Sequence, residues 1–268
     1  MARRRDFAVN DLPGATLISM LVFIGLYAPI LVLIVYSFNA GDSVAKWQGW
    51  SLDWYRTAWA NDEVKAATWV SLVVATGAAV LSTALATMAA LGTTRRPAFR
   101  GQTFIYVMIN QPLMVPEIVT AVALLLVTAA IKKATGYSGL GYLIVAHAAF
   151  CIPFAYLPIR ARLEGMDRTL ETAASDLYAS RWQTFRRVTL PLLMPGILAG
   201  AMLAFVTSLD DVVITEFIKS PGQDTLPTYM LGQLRRAMKP DVNAISTLLL
   251  ALTLVLLSAF FLLTRNRK

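Results

Sequence analysis

The chain has 268 residues, 57% of them hydrophobic and only 15% charged, with a net charge of +8. Soluble domains carry about 25% charged residues, so this composition points to an integral membrane protein. A single cysteine, Cys151, excludes an internal disulfide or a cysteine-rich metal site, and a single histidine, His147, argues against a catalytic triad or a histidine-built metal site. No catalytic residue, metal or cofactor is therefore expected in this chain.

Six runs reach the roughly 20 apolar residues that a helix needs to cross a bilayer: 13–38, 66–93, 102–131, 139–160, 192–216 and 243–264. The expected fold is all-α, one transmembrane domain over residues 1–268. The first run follows Arg3, Arg4 and Arg5, as a signal peptide would. It is longer than a signal's apolar stretch and shows no small-residue cleavage site, so it reads as a retained span. The loop 39–65 holds Trp47, Trp50, Trp54, Trp59 and Tyr55. Such rings favour the headgroup level; the alternative is a docking surface for an extracytoplasmic partner.

Glu117, Asp210 and Asp211 lie inside apolar runs. A charge at the bilayer centre costs at least about 2.5–3.5 kcal/mol, so such groups are expected to face a cavity or a partner. From the starts of their runs, Glu117 and Asp210 lie about 22 and 27 Å along a helix. All three acids then converge on the outer half of the membrane, as an acidic vestibule that replaces water around a cation. The competing reading pairs Asp210 and Asp211 with Lys219 or with a basic residue of another chain. His147 is expected to pack, hydrogen-bonded, between spans, and Cys151 to be a small buried apolar residue. Gly196 and Gly200 are spaced for close helix approach, against another span or another chain.

Between the fourth and fifth runs stands a polar insert, 164–190. Asp167 is placed to cap a helix running to about Leu177. Ser180-Arg181-Trp182-Gln183 fits a capping box, so a second helix should begin at Ser180 and end at Leu190-Pro191, because proline disfavours helical geometry in the residue before it. Ala174, Leu177, Tyr178, Trp182 and Phe185 form an apolar stripe at helical spacing. With the N-terminus placed in the cytoplasm, 15 of the 24 lysines and arginines fall on the cytoplasmic side and 9 on the other. That distribution orients both termini and the insert toward the cytoplasm. The positive charge is thus a topology signal, and nucleic-acid binding is not expected. Arg235, Arg236 and Lys239 fall on the outer side, as a solvated surface or a docking patch.

The insert resembles the loop of permease subunits of binding-protein-dependent ABC importers, E-A-A-x-D-L-G followed by a hydrophobic-Leu-Pro ending. Thr172-Ala173-Ala174-Ser175-Asp176-Leu177-Tyr178 and Thr189-Leu190-Pro191 align with it. Two positions depart: Thr172 stands at the glutamate, with Glu171 one place earlier, and Tyr178 stands at the glycine. Ser51-Leu52-Asp53-Trp54-Tyr55, Pro116-Glu117-Ile118-Val119, Ser208-Leu209-Asp210-Asp211-Val212-Val213 and Pro240-Asp241-Val242-Asn243-Ala244 resemble the spermidine/putrescine branch, with ferric-iron and phosphonate permeases as related alternatives.

The resemblance implies an inner-membrane subunit, multi-pass, that forms half of a translocation path with a second permease, a paralogue or a copy. It implies two ATPase subunits and a periplasmic binding protein as partners, besides the lipid. It also implies that Asp167, Glu171, Ala173, Ala174, Asp176, Tyr178, Ser180, Trp182 and Phe185 meet the ATPase. The chain has no G-x-x-x-x-G-K-[ST] of its own, so ATP hydrolysis is expected elsewhere. A rival of another class, a secondary transporter driven by an ion gradient, often shows inverted repeats, and none is visible. A passive scaffold would not need acids in its spans.

Overall fold

A computed structural model describes residues 14–43, 46–95, 97–236 and 240–265, so Arg3, Arg4, Arg5, Arg96, Lys239 and the start of the first run fall outside the described residues. Twelve helices are described: α1 (Ala15–Tyr36), α2 (Asp53–Ala60), α3 (Asp62–Thr94), α4 (Gln102–Met114), α5 (Glu117–Thr135), α6 (Gly141–Glu164), α7 (Thr169–Asp176), α8 (Arg181–Thr184), α9 (Leu190–Leu209), α10 (Val213–Ile218), α11 (Leu226–Arg236) and α12 (Asp241–Arg265). Six helical stretches are long and apolar enough to span a bilayer: 16–36, 62–94, 117–135, 141–164, 181–209 and 241–262.

The chain divides into two compact units, 1–61 with 233–252, and 62–232 with 253–268. In the first, no described side chain of α1 is buried and most are exposed, as suits a helix solvated by lipid. Beyond α1, the Asn39 side chain organises the loop: it donates to the carbonyls of Ser43 and Lys46 and accepts from the Gln48 N–H. Ser37 meets Tyr55 at 2.6 Å. Tyr36, Phe38, Trp47, Trp50 and Tyr55 form a chain of ring contacts 4.9–6.0 Å apart.

The second unit is built around α6, against which α3 and α9 pack. On α3, Ala67, Ser71, Ala75, Ala78, Ser82, Ala86 and Ala90 make a buried small-residue seam, which lets backbones approach closely where no hydrophobic drive between helices exists. The Gly196–Gly200 pair resolves to packing within the chain. A Cβ on Gly200 would stand 2.6 Å from the Ala155 carbonyl oxygen, and one on Gly196 would stand 2.7 Å from Arg162 Cβ, both on α6. Cys151 is fully buried there, its thiol near the Ala204 carbonyl.

Two expected spans are interrupted. The third breaks at Val115, whose extended backbone precedes Pro116, so α4 ends at Met114 and α5 starts at Glu117. The fifth leaves the helix at Asp210 and resumes as α10. Conversely, the helix expected to stop at Leu190-Pro191 continues: Leu190 keeps helical angles (φ −63°, ψ −46°), and a π-helical turn over Phe185–Thr189 joins α8 to α9. Pro191 comes just after this π-helical turn. The turn's wider hydrogen-bond register absorbs the change.

Candidate substrate path and coupling site

The breaks in the third and fifth spans bring two acids together: the carboxyl group of Glu117, at the start of α5, faces that of Asp211. Glu117 is half-buried and Asp211 is buried, whereas Asp210 is exposed beside them. Asp211 owes its position to the turn it caps. Its Oδ1 accepts the Thr215 N–H at 3.0 Å and the Thr215 hydroxyl at 3.2 Å, and Oδ2 accepts from Ile214 N at 3.4 Å. This is the capping pattern of an aspartate at a helix start.

Behind Asp211 stands His147 on α6. Nδ1 lies 2.8 Å from Ser208 Oγ, and Nε2 lies 2.9 Å from Thr215 Oγ1 and 3.5 Å from Asp211 Oδ1. Thr215 has one hydroxyl proton and gives it to Asp211, so its lone pair is left to accept from Nε2–H. In the neutral imidazole, Nδ1 then accepts from Ser208. The ring bridges α9 and α10 across the break and stands against Asp211 Oδ1. Sequence reasoning gave His147 a packing role, but missed Ser208 and Thr215. The four-residue step from Asp211 to Thr215 was the available signal.

Lys219 does not pair with Asp210 or Asp211. It is held by Glu216 and Asp224, each at 2.6 Å. Partial burial works against its charge, but these two carboxylates outweigh that and raise the ammonium above its ordinary range. Lys132, at the end of α5, donates to the Ile218 carbonyl at 3.1 Å and to Ser220 at 3.0 Å, which anchors α5 to the end of α10.

At the other end of the 20-residue α9, about 30 Å away, lies the polar insert. Asp167 Oδ1 accepts the Thr169 N–H at 2.9 Å, and that bond, with one from the Thr169 side chain, lowers the exposed carboxyl's pKa. The N-cap position is Arg168, one residue later than expected, and α7 begins at Thr169. Ser180 and Gln183 form the reciprocal capping box at the start of α8. Between the helices, Tyr178 adopts the left-handed conformation, φ 61°.

The apolar stripe points outward. Leu177, Tyr178 and Trp182 are 82%, 97% and 67% exposed, Trp182 stacks on the half-buried Phe185 at 5.7 Å, and Ala173 and Asp176 are exposed beside the half-buried Ala174. Glu171 instead turns inward, toward Arg95 and Thr189. Sequence reasoning did not connect those two residues to it, because they lie 76 and 18 positions away with no shared local pattern.

Six apolar helices, two of the spans broken where carboxyl groups are held, and a polar helix pair inserted between spans define a membrane permease. Residues 82–266 match the family described as binding-protein-dependent transport system inner membrane component. The chain belongs to that family and is a multi-pass inner-membrane protein. It is 38% identical over 260 residues to the putrescine transport system permease protein PotI of Escherichia coli K12, covering 96% of this chain and 92% of that one. It is 35% identical over 246 residues to the spermidine/putrescine transport system permease protein PotC of the same strain, covering 92% of each. A chain of a bacterial alginate ABC transporter, solved with a pentasaccharide-bound periplasmic protein, superposes with a TM-score of 0.73 at 16% identity, over 94% of this chain and 93% of that one.

Proposed function

We propose that this chain is one of two permease subunits of an ATP-driven polyamine importer, with both termini and the insert on the cytoplasmic side. A separate pair of ATPase subunits supplies the energy, a periplasmic binding protein delivers the substrate, and the chain needs no cofactor or metal of its own. The partner permease is a paralogue. The observation that carries the substrate reading is the Glu117–Asp211 pair set in breaks of two spans, in a chain whose relatives are named for putrescine and spermidine.

Two carboxylates held together repel each other unless a proton or a cation stands between them. A polyamine's ammonium groups meet that requirement and recover there part of the hydration they leave behind. Asp210, exposed at the same break, serves as an entry residue for the next ammonium. The insert transmits ATPase closure: Leu177, Tyr178 and Trp182 present an outward apolar surface, and Asp167, Ala173, Ala174, Asp176, Ser180 and Phe185 shape or support it.

The test is uptake of labelled putrescine by membranes carrying Asp211→Asn in a complex of normal assembly. Asparagine keeps the acceptor for Thr215 but removes the charge, so uptake is expected to fall at least about tenfold, the equivalent of about 1.4 kcal/mol. Uptake equal to the unsubstituted complex would dismiss the acidic pair as part of the path.

A further inference from the structure

No residue of α7 is buried, and its Leu170 and the capping Leu177 are exposed. Isolated helices shorter than about 12 residues are marginal, so an eight-residue helix without burial must be held by other means. The ties are polar. Arg95, just past the end of α3, places Nη2 3.5 Å from Glu171 Oε1, the two side chains being 14% and 23% exposed. The same carboxylate oxygen accepts a 2.8 Å hydrogen bond from Thr189 Oγ1, at the foot of α9. Arg168, immediately before α7, donates from Nη2 to the Thr94 carbonyl at 2.9 Å. One carboxylate therefore touches three segments: the end of α3, α7 and the foot of α9.

The departure at Thr172 fits this placement. Successive helix residues are separated by about 100°, from 3.6 residues per turn, so a glutamate one place earlier points to a different side of α7. Thr172 is exposed and its hydroxyl bonds back to the Arg168 carbonyl, whereas Glu171 is half-buried. Arg95 Nε and Nη2 are both buried and make no hydrogen bond; among the described residues, the 3.5 Å ion pair with Glu171 is what answers the guanidinium's charge. A partly buried ion pair is screened less than an exposed one, which is worth little, and the hydrogen bond from Thr189 to the charged carboxylate adds direction to it.

We infer that Glu171 is a positioning residue that keys the insert to α3 and α9, so that displacement of the insert moves the two helices packed on α6 instead of bending a loop. The inference rests on the coupling role proposed above for the insert.

The test uses the full complex in proteoliposomes, with the ATPase, second permease and binding protein, and radiolabelled putrescine as probe. Three quantities are measured: ATPase co-purification, ATP hydrolysis and uptake per ATP. Glu171→Ala is expected to co-purify and hydrolyse ATP as the unsubstituted chain does, but to lose about tenfold in uptake per ATP. Glu171→Gln, which keeps an acceptor for Thr189, should lose less. The exchanged pair Arg95→Glu with Glu171→Arg should recover coupling to within about threefold.

Uptake per ATP unchanged in Glu171→Ala overturns the inference. So does an exchanged pair no better than Arg95→Glu alone, or a loss of assembly in every variant, which would mark a purely structural contact. Failure of the unsubstituted chain to co-purify with an ATPase is a different result: it removes the coupling reading itself.

Discussion

Tyr178 occupies a left-handed backbone position, φ 61°, with its side chain 97% exposed. A residue bearing a Cβ pays about 1–2 kcal/mol there, and the exposed ring recovers little within the chain. Tyr178→Gly should therefore stabilise the purified permease by up to about 1 kcal/mol, the entropy of a more flexible unfolded chain offsetting the rest; a higher Tm in detergent is the readout. At the other end of α9, His147 satisfies Ser208 and Thr215 together. His147→Ala leaves both hydroxyls and Asp211 short of a buried partner, a loss of about 1–3 kcal/mol per unsatisfied group, and the Tm should fall. Both features were partly legible. The resemblance puts a glycine at Tyr178, which leaves either a differently built turn or a strained one, and the structure has the strained, left-handed residue. The histidine's buried, bonded state followed from a lone polar ring in an apolar run. Which hydroxyls it would meet was not legible, because Ser208 and Thr215 approach it only once α9 breaks and α10 turns back.

The six spans were readable because length and hydropathy alone decide whether a helix can cross a bilayer. The breaks were not. An apolar run looks the same whether the backbone stays helical through it, as at Leu190-Pro191, or leaves the helix, as at Val115-Pro116. Local context decides. Pro191 follows the π-helical turn over Phe185–Thr189, whose wider register lets the helix run past it, while Val115, preceding Pro116, takes an extended conformation and ends α4. Gly196 and Gly200 predict a close approach against another span or another chain, and the structure supplies α6 as the partner. Gly200→Ala would set a methyl 2.6 Å from the Ala155 carbonyl oxygen, a backbone atom that cannot swing aside. The helices must separate, at a cost of about 1–3 kcal/mol, and a thermal melt of the purified chain should show the loss. Gly92, with nothing within 4 Å of the same hypothetical methyl, is the control: Gly92→Ala should leave the Tm unchanged or raised.

At the scale of the molecule, α9 joins two sites about 30 Å apart, the acidic break at its end and the insert at its start. Coupling them requires that something outside the chain act on the insert, since no nucleotide-binding loop is present in the sequence. The outward face of Leu177, Tyr178 and Trp182 is where that contact is expected. Cys151, the chain's one cysteine, is fully buried, so a cysteine introduced at an exposed position is the reactive thiol. The decisive measurement is cross-linking from Trp182→Cys in intact membranes of the assembled complex. The account predicts an adduct with the ATPase subunit, strengthened or weakened by ATP, and no reaction with thiol reagents confined to the periplasm. Modification from the periplasmic side, or an assembled complex in which residue 182 links only to lipid, would contradict it.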